Sequence, residues 1–576
     1  MRRFGIDLGT TNTCIFCADF IPIPTIWDEE EDNFRLNPLT IQYKNTADMI
    51  NPNLSSIMPS AIYARPCKNS KDSYDFYIGE VAINAAKQDD VTEIINTKRL
   101  LCREDPKTKI AYGLTAEDIA QKLLEGCKYS IERAYGKSKN VKYCITQPAA
   151  FGLFASRSIH EAGIKAKFEN AEVQREPIAA LLSFLYEELR NKESAEKLLK
   201  RQAENHNRLL TLTVDIGGGT TDVTIQEIQI TGTRTPEQGI QTCTGYTVNF
   251  LNLVSDENAP VATANQEPAF GGYDFDRKIV HYIVQEWGRQ YYDKTEEQID
   301  WELPEIQKQI GYLYQRVRQY KDSLSAVSKE KEDVVYLNGQ KVMTVWTAEK
   351  FYEWTQDLCA SPHGEKENSK TVYGIIMDTI QRSGYHVEDI DCFFVTGGMS
   401  SYRPIRNMLT EKFKKLSENH ILKFSSTPLY DIARGAAVCN CYFKVDMPQS
   451  ILYADLMLDD PCGEPKVLVR KNTPLPVEGK LTHFMQLRNP LYLYIDVLCG
   501  DSTKDCHIKR LRSLKKKIPG NKVAKMGTPI SVNYRIDEHQ AMNIELTVHD
   551  TDCEYRVSLL NLINNVPLNR KDEKHE

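Results

Sequence analysis

Several features are missing from this chain, and each absence removes a class of function. No apolar run approaches the ~20 residues that span a bilayer. Near the N-terminus Arg2 and Arg3 precede a few apolar residues, but Asp7 interrupts them and leaves no signal-peptide core. A cytoplasmic protein with no membrane partner is therefore expected. The cysteines number 15, an odd count with no framework spacing, as expected for reduced, buried thiols in a large intracellular chain. Cys14 and Cys17 form one C-x-x-C pair, yet no second pair follows to complete the four ligands of a tetrahedral zinc site. A strong excess of one charge is also lacking. The net charge of -7 across 576 residues marks a mildly acidic chain that is no general polyanion binder, so no nucleic-acid partner is expected. At about 100–200 residues per domain, the length implies several domains.

What the chain does contain is a repeat. Phe4-Gly5-Ile6-Asp7-Leu8-Gly9-Thr10-Thr11-Asn12-Thr13 runs into Cys14-Ile15-Phe16, and Val214-Asp215-Ile216-Gly217-Gly218-Gly219-Thr220-Thr221-Asp222 runs into Val223-Thr224-Ile225. Each copy reads as strand, tight turn, strand, and its recurrence implies two similar halves. Glycine lets such a turn bend sharply and approach a ligand. Successive free N–H groups make an anion-binding nest, threonine hydroxyls add donors, and a strand-terminal aspartate suits hydrated magnesium. Two facing hairpins would clamp a polyphosphate and its metal. One such turn alone would be an ordinary turn; two copies argue otherwise.

Other segments extend the pattern. Asp391–Ser401 is an apolar strand ending in Gly397-Gly398, followed by a helix around Pro404–Leu416. Glu176-Pro177-Ile178-Ala179-Ala180 and Ala433-Arg434-Gly435-Ala436-Ala437 are helical stretches of small residues, suited either to a hinge or to routine close packing.

In this order the segments resemble the nucleotide-binding domain shared by actin, sugar kinases and the seventy-kilodalton heat-shock (DnaK-like) chaperones, and the chaperones most of all. Asn96–Leu101 is similar to their catalytic-lysine segment, Gly271-Gly272-Tyr273-Asp274-Phe275-Asp276 to their G-G-x-D-F-D, and Cys144–Phe151 to their V-P-A-Y-F stretch. The resemblance implies an α/β actin-like ATPase fold of two duplicated lobes (about 1–207 and 208–443), a linker at 444–450, a β-sandwich at 451–568 and a charged tail at 569–576. It also implies ATP or ADP with Mg2+ as cofactors.

Residue by residue, the resemblance implies that Asp7, Lys98, Glu176 and Asp215 are catalytic. Asp7 and Asp215 would hold the magnesium shell or orient the attacking water, Glu176 would touch the metal's water shell, and Lys98 would approach the γ-phosphate. Gly9, Thr10, Thr11, Asn12, Gly217, Gly218, Gly219 and Thr220 would cradle phosphates. Gly272, Lys321, Gly397, Gly398 and Met399 would line the adenosine, and Pro148 would relay nucleotide state. Such a set suits phosphoryl transfer, where catalysis is mostly positioning and charge neutralisation.

The chain departs from that pattern in places. Arg318 and Asp322 stand where the family has glutamate and an adenine-stacking arginine, which puts the grip on the base in doubt. Glu172 and Arg175 stand where the family has arginine and asparagine on the face that meets the J-domain co-chaperone, so Glu172 is expected to repel that partner. Co-chaperone and exchange-factor dependence thus stay open. Glu187–Arg208 reads as a charged, solvated helical extension, and Tyr246–Pro268 as a polar loop. The helix carrying Ala433 is expected to end near Lys444.

The last third alternates with period two. Leu491, Leu493, Ile495 and Val497 form one run, Val532, Tyr534 and Ile536 another, and Ile544, Leu546 and Val548 a third. Several short runs of this kind argue a small β-sandwich. With Arg470–Pro476 it resembles the β-half of the chaperone substrate-binding domain, which takes an extended polypeptide client. The family's long helical lid has no counterpart before the end of the sequence, so rapid peptide exchange is expected. Lys509–Lys525 reads as a solvated basic loop, with contact to an acidic partner as the alternative. The functional expectation is an ATP-dependent chaperone-like protein with slow ATP hydrolysis. The alternatives are a non-hydrolysing nucleotide switch or scaffold, a small-molecule kinase on the same fold, and an actin-like filament.

Overall fold

The computed structural model describes residues 2–20, 34–41, 55–67, 74–89, 97–101, 109–137, 141–148, 153–168, 171–232, 246–255, 270–292, 309–311, 313–314, 316–318, 320–321, 331–337, 340–361, 371–446, 455–459, 465–470, 473–500, 509–519, 524–536, 542–549, 551 and 553–559. Asn96, Asp322, the 447–450 part of the linker and the tail at 569–576 lie outside the described residues. The chain divides into two compact units, one of Met1–Phe151, Arg157–Asn258 and Pro268–Met447, the other chiefly Pro448–Glu576.

The larger unit begins with β1 (Arg2–Leu8), β2 (Asn12–Phe20), β3 (Phe34–Pro38), β4 (Ile57–Pro59), β5 (Ile62–Pro66), β6 (Tyr74–Ile78), β7 (Val141–Gln147) and β8 (Glu172–Arg175). It continues with β9 (Leu209–Ile216), β10 (Thr221–Thr231), β11 (Tyr246–Ser255), β12 (Lys331–Leu337), β13 (Gln340–Trp346), β14 (Cys392–Thr396), β15 (Leu422–Phe424) and β16 (Phe443–Asp446). The first sheet runs β3-β2-β1-β7-β8, with β4 also on β2; the second runs β15-β14-β9-β10-β11-β16. The orders superimpose when β1 is matched to β9. In each sheet that strand pairs antiparallel with its hairpin partner and parallel with the strand beyond. The repeat in the sequence is thus a repeat of topology, and the two duplicated lobes are present.

Local chemistry fixes the helices around the sheets. Thr115 and Asp118 form a reciprocal capping box at the start of Ala116–Tyr135, and Gly136 ends it at φ 72°. Pro177 sits in the first turn of Glu176–Arg190, where a missing N–H costs nothing. The two small-residue segments meet each other. A Cβ on Gly435 would lie 1.6 Å from the Ala179 carbonyl oxygen, and one on Gly5 would lie 2.1 Å from that of Ala433. Helix Asp431–Val438 therefore lies in backbone contact with both β1 and helix Glu176–Arg190, which only glycine permits. One buried apolar cluster runs from β2 through these two helices to β9, β10, β11 and β14, joining the lobes.

Several local expectations change. Tyr246–Ser255 is β11, pairing with β10 and β16, with Val248 and Phe250 buried on one side and Asn249 on the other; residues 256–268 lie outside the described set. Helix Asp431–Val438 stops well before Lys444. Asn440 turns left-handed at φ 50°, and the chain re-enters the second sheet as β16. The charged extension is helical over Lys192–Glu204, but its Ala195, Leu198 and Gln202 are buried, and Gln202 bonds both backbone groups of Ile230 at 2.8 and 2.9 Å. Its Glu193–Lys197 pair stays in solvent.

The smaller unit holds β17 (Asp455–Asp459), β18 (Lys466–Val469), β19 (Val477–Gln486), β20 (Tyr492–Gly500), β21 (Lys509–Lys517), β22 (Pro529–Ile536), β23 (Met542–Val548) and β24 (Cys553–Leu559). Two four-stranded sheets, β18-β17-β20-β21 and β19-β22-β23-β24, share one apolar core that includes Leu493, Ile495, Val497, Val532, Ile544 and Leu546. This is the expected sandwich, and its inward residues follow the period-two runs except at Leu491, which precedes β20 and is exposed. The basic stretch is not a loop at its start: Lys509–Lys517 is β21, held by antiparallel pairing with β20. Among the described residues no helix is long and apolar enough to cross a membrane.

Candidate functional site

The two glycine–threonine turns face each other. A Cβ on Gly218 would fall 2.0 Å from Thr11 Oγ1, and one on Gly219 would fall 2.4 Å from Thr10 Cγ2. Thr10 and Thr11 thus stand against Gly219 and Gly218, and the close approach leaves no room for a side chain at those two glycines. The second turn is closed by Gly217 N–H donating to the Thr220 carbonyl at 2.9 Å. The first is pinned by Ser60, which donates through Oγ to the Gly9 carbonyl at 2.7 Å and through N–H to the Thr11 carbonyl at 2.8 Å. Asn12 opens β2 opposite Pro59.

Beneath the turns the strand ends bring charge together. Lys98 and Glu176 form a buried ion pair. Glu176 occupies the first position of its helix, set there by Arg175 at the N-cap and Pro177 behind it. Asp215 is the next-to-last residue of β9 and sits directly across the hairpin from Asp222. Carboxylate oxygens of Glu176, Asp215 and Asp222 lie within 4.8 Å of one another, and all three residues are buried. Asp7 accepts a hydrogen bond from Thr146 Oγ1 at 3.3 Å.

The electrostatics follow from that crowding. Burial and the neighbouring Asp222 and Asp7 push the Asp215 carboxyl up to about 8. Burial raises Glu176 well above the carboxylate range despite Lys98, with Asp7, Asp222 and Asp215 adding to the effect. Asp7 is also raised by burial, against the pull of Lys98 and Thr146. Burial alone would lower Lys98; Glu176 and Asp7 reverse that and keep it protonated. Several carboxyl groups around one ammonium leave negative charge that only a proton or a cation can offset. Hard oxygen donors at this spacing fit magnesium, which takes one or two carboxylates and keeps waters.

A third segment braces the second turn. Gly272 N–H donates to the Gly217 carbonyl at 3.0 Å and Tyr273 N–H to that of Gly218 at 2.7 Å, while Gly271 N–H donates to Asp274 Oδ2 at 2.8 Å. Gly272 packs on Met399, whose Cγ would be 2.9 Å from an added Cβ. Gly397, at φ 83°, lies so close to Asp215 that a Cβ would sit 2.2 Å from Oδ1, and Gly398 opens the short turn that carries Met399. Lys321 is buried and bonds Asp276 at 2.6 Å and the Gly272 carbonyl at 3.4 Å. Arg318, one of the departures, also reaches Asp276, at 3.2 Å.

All the sequence-derived positions but one converge on this cleft. Pro148 stands apart: it follows β7, two residues beyond Thr146 and next to Gln147, which pairs in register with Arg175. Asp222, Thr146, Asp276 and Ser60 were not singled out from the sequence. Asp222 ends the quoted repeat and Asp276 the quoted G-G-x-D-F-D, so spacing alone could have found both. Glu172 changes meaning. Arg3, fully buried, holds it through two bonds of 3.1 and 2.6 Å and reaches the Ala436 carbonyl at 3.3 Å. Burial would raise the Glu172 carboxyl, but the guanidinium holds it below the usual range. Its charge is therefore largely offset within the fold.

Comparison with known proteins agrees with this geometry. A family model described as Hsp70 protein matches residues 3–233 and 244–563. The chaperone protein DnaK of Stenotrophomonas maltophilia (strain R551-3) is 21% identical over 572 residues, covering 97% of this chain and 78% of that protein. The chaperone protein dnaK of Cyanidium caldarium is 22% identical over 578 residues, covering 96% and 79%.

Proposed function

The chain belongs to the Hsp70 family, and from that premise we propose that it is an ATP-dependent, chaperone-like protein of the cytoplasm that hydrolyses ATP slowly and couples nucleotide state to polypeptide binding. The observation that carries the reading is the buried Lys98–Glu176 pair set beside Asp215 and Asp222 under two facing glycine–threonine turns.

In this reading the N–H groups and hydroxyls of Gly9–Asn12 and Gly217–Thr220 bind the phosphates. Lys98 leaves Glu176 to meet the terminal phosphate. Asp7 and Asp215 would orient the attacking water, and Asp7, Glu176, Asp215 and Asp222 would hold Mg2+. When bound, Mg2+ supplies neutralisation of phosphate charge. Gly272, Lys321, Gly397, Gly398 and Met399 form the adenosine side. Closure of the lobes bends the chain where helix Asp431–Val438 crosses helix Glu176–Arg190. Pro148 carries that movement outward, since Thr146, two residues before it, touches Asp7.

The smaller unit supports the polypeptide half of the proposal. A cavity of about 290 Å3 is lined by Met485, Leu487, Tyr492, Leu493, Ile495 and Ile530. Near it in the chain, Leu491 is 60% exposed and Met526 72% exposed. An apolar cavity beside uncovered apolar residues suits a side chain from an extended polypeptide. The test is release of a fluorescent apolar peptide from the full chain. Release should be faster with ATP than with ADP; equal rates would remove the coupling.

A nucleotide switch with little turnover is the second reading. The observation favouring it is Arg318 sharing Asp276 with Lys321, which occupies the lysine expected at the ribose.

A further inference from the structure

The cavity of the smaller unit does not stand alone. Two of its lining residues, Tyr492 and Tyr494, belong to β20, and the strand paired beside them is β21. β21 reads Lys509-Arg510-Leu511-Arg512-Ser513-Leu514-Lys515-Lys516-Lys517, with six basic residues, no acidic one, and an edge position in its sheet. In the register, Tyr494 lies opposite Lys515 and Tyr492 opposite Lys517. The Lys515 ammonium stands 5.2 Å from the Tyr494 ring centre and 5.4 Å from that of Tyr492. Lys515, Lys516 and Lys517 are exposed, and among the described residues none of the three forms an ion pair. The apolar cavity thus opens beside a run of uncompensated positive charge on a chain whose net charge is -7.

We propose that this site takes extended polypeptide segments in which an apolar residue is flanked by aspartate or glutamate, the apolar side chain entering the cavity and the carboxylates lying over Lys515 and Lys517, which share the tyrosine face of the strand pair. The proposal rests on the polypeptide-binding reading of the cavity and adds the class of client. Lysines on an edge strand commonly serve to keep like strands apart. That same repulsion is selective: it rejects a second copy of β21 and any basic segment, and it attracts an acidic one. The edge, unpaired among the described residues, adds a row of backbone donors and acceptors that an extended chain can use. The tyrosines under Lys515 hold one ammonium near the cavity, where a carboxylate next to the anchored residue would reach it.

The experiment measures fluorescence anisotropy of the full-length protein with three peptides sharing one leucine-centred core, flanked by glutamate, by serine or by lysine. The proposal expects the order glutamate, serine, lysine, with the first bound about fivefold tighter than the second at low salt, the scale of two exposed charge contacts. The advantage should shrink as salt rises. In the variant carrying Lys515→Glu and Lys517→Glu the order should invert while the serine-flanked peptide binds as before, which also shows that the fold is intact. Equal affinity for all three peptides would overturn the client class and leave the polypeptide-binding reading standing. No binding by any peptide would overturn both. A single-stranded oligonucleotide, or a vesicle of anionic phospholipid, that bound through these lysines while the glutamate-flanked peptide did not would replace the proposal with a different partner.

Discussion

The nucleotide cleft and the β-sandwich solve opposite problems. In the cleft, charge is buried and backbone is pressed against backbone: Lys98, Glu176, Asp215 and Asp222 are all hidden, and glycines at 5, 218, 219, 397 and 435 admit no larger residue. In the sandwich the buried residues are mostly apolar, and the features of functional interest lie at the surface: Leu491, Met526 and the lysines of β21. A site that must hold one defined ligand and reacting water is over-determined by packing. Under the proposed reading, a site for many extended chains needs only an apolar cavity and a bias of charge.

That contrast can be broken at graded cost. The largest effect is expected at the lobe crossing. Gly435→Val drives a side chain into the Ala179 backbone, and should destabilise the larger unit by more than about 3 kcal/mol, read as a lowered thermal midpoint or loss of soluble protein. A valine tolerated there would show that the crossing is not tight.

Next comes the buried acid cluster. Asp215 titrates near 8 in the folded chain, against about 3.9 in an unfolded one. The folded state therefore holds the proton more strongly, and stability without metal falls as pH rises between those values. Thermal midpoints in chelator should drop by several degrees from pH 5 to pH 8. Asp215→Asn should flatten that slope, and Mg2+ should restore stability to the parent more than to the variant.

A smaller change is expected at Asp222, absent from the sequence-derived set. Asp222→Asn should weaken Mg2+ affinity about tenfold, measured by titrating Mg2+ against nucleotide binding. Unchanged affinity would leave the metal to the other carboxylates. Smallest is Glu172→Ala, which leaves the buried Arg3 guanidinium without its carboxylate. Glu172 is half-exposed, so water limits the cost to about 1–2 kcal/mol in unfolding free energy.

The contrast also explains what could be read from the sequence. The cleft was legible because its chemistry is local: turn glycines, threonines and strand-end aspartates occupy fixed spacings, and the two copies announce the duplicated lobes. What escaped there depends on pairing across strands. Asp222 matters because the hairpin register sets it opposite Asp215, and Glu172 changes meaning because Arg3, far away in sequence, reaches it from β1. The sandwich was legible as alternation, which gave β20, β22 and β23 their inward faces. β21 was missed as a strand because its lysines hide the pattern; Leu514 packs against the core and pairing with β20 holds the strand. β11 was read as a loop for the same reason, its asparagines masking Val248 and Phe250. Polar residues at strand positions that face solvent carry no signal about the strand.

The most direct test of the account is single-turnover ATP hydrolysis by the purified full chain in Mg2+, with Lys98→Ala beside it. The account predicts slow hydrolysis by the parent and a loss of about 10²–10³-fold in the variant, since one charge aimed at the transferring group contributes on that scale. Equal turnover in both would contradict the assignment of the Lys98–Glu176 cluster as the catalytic centre.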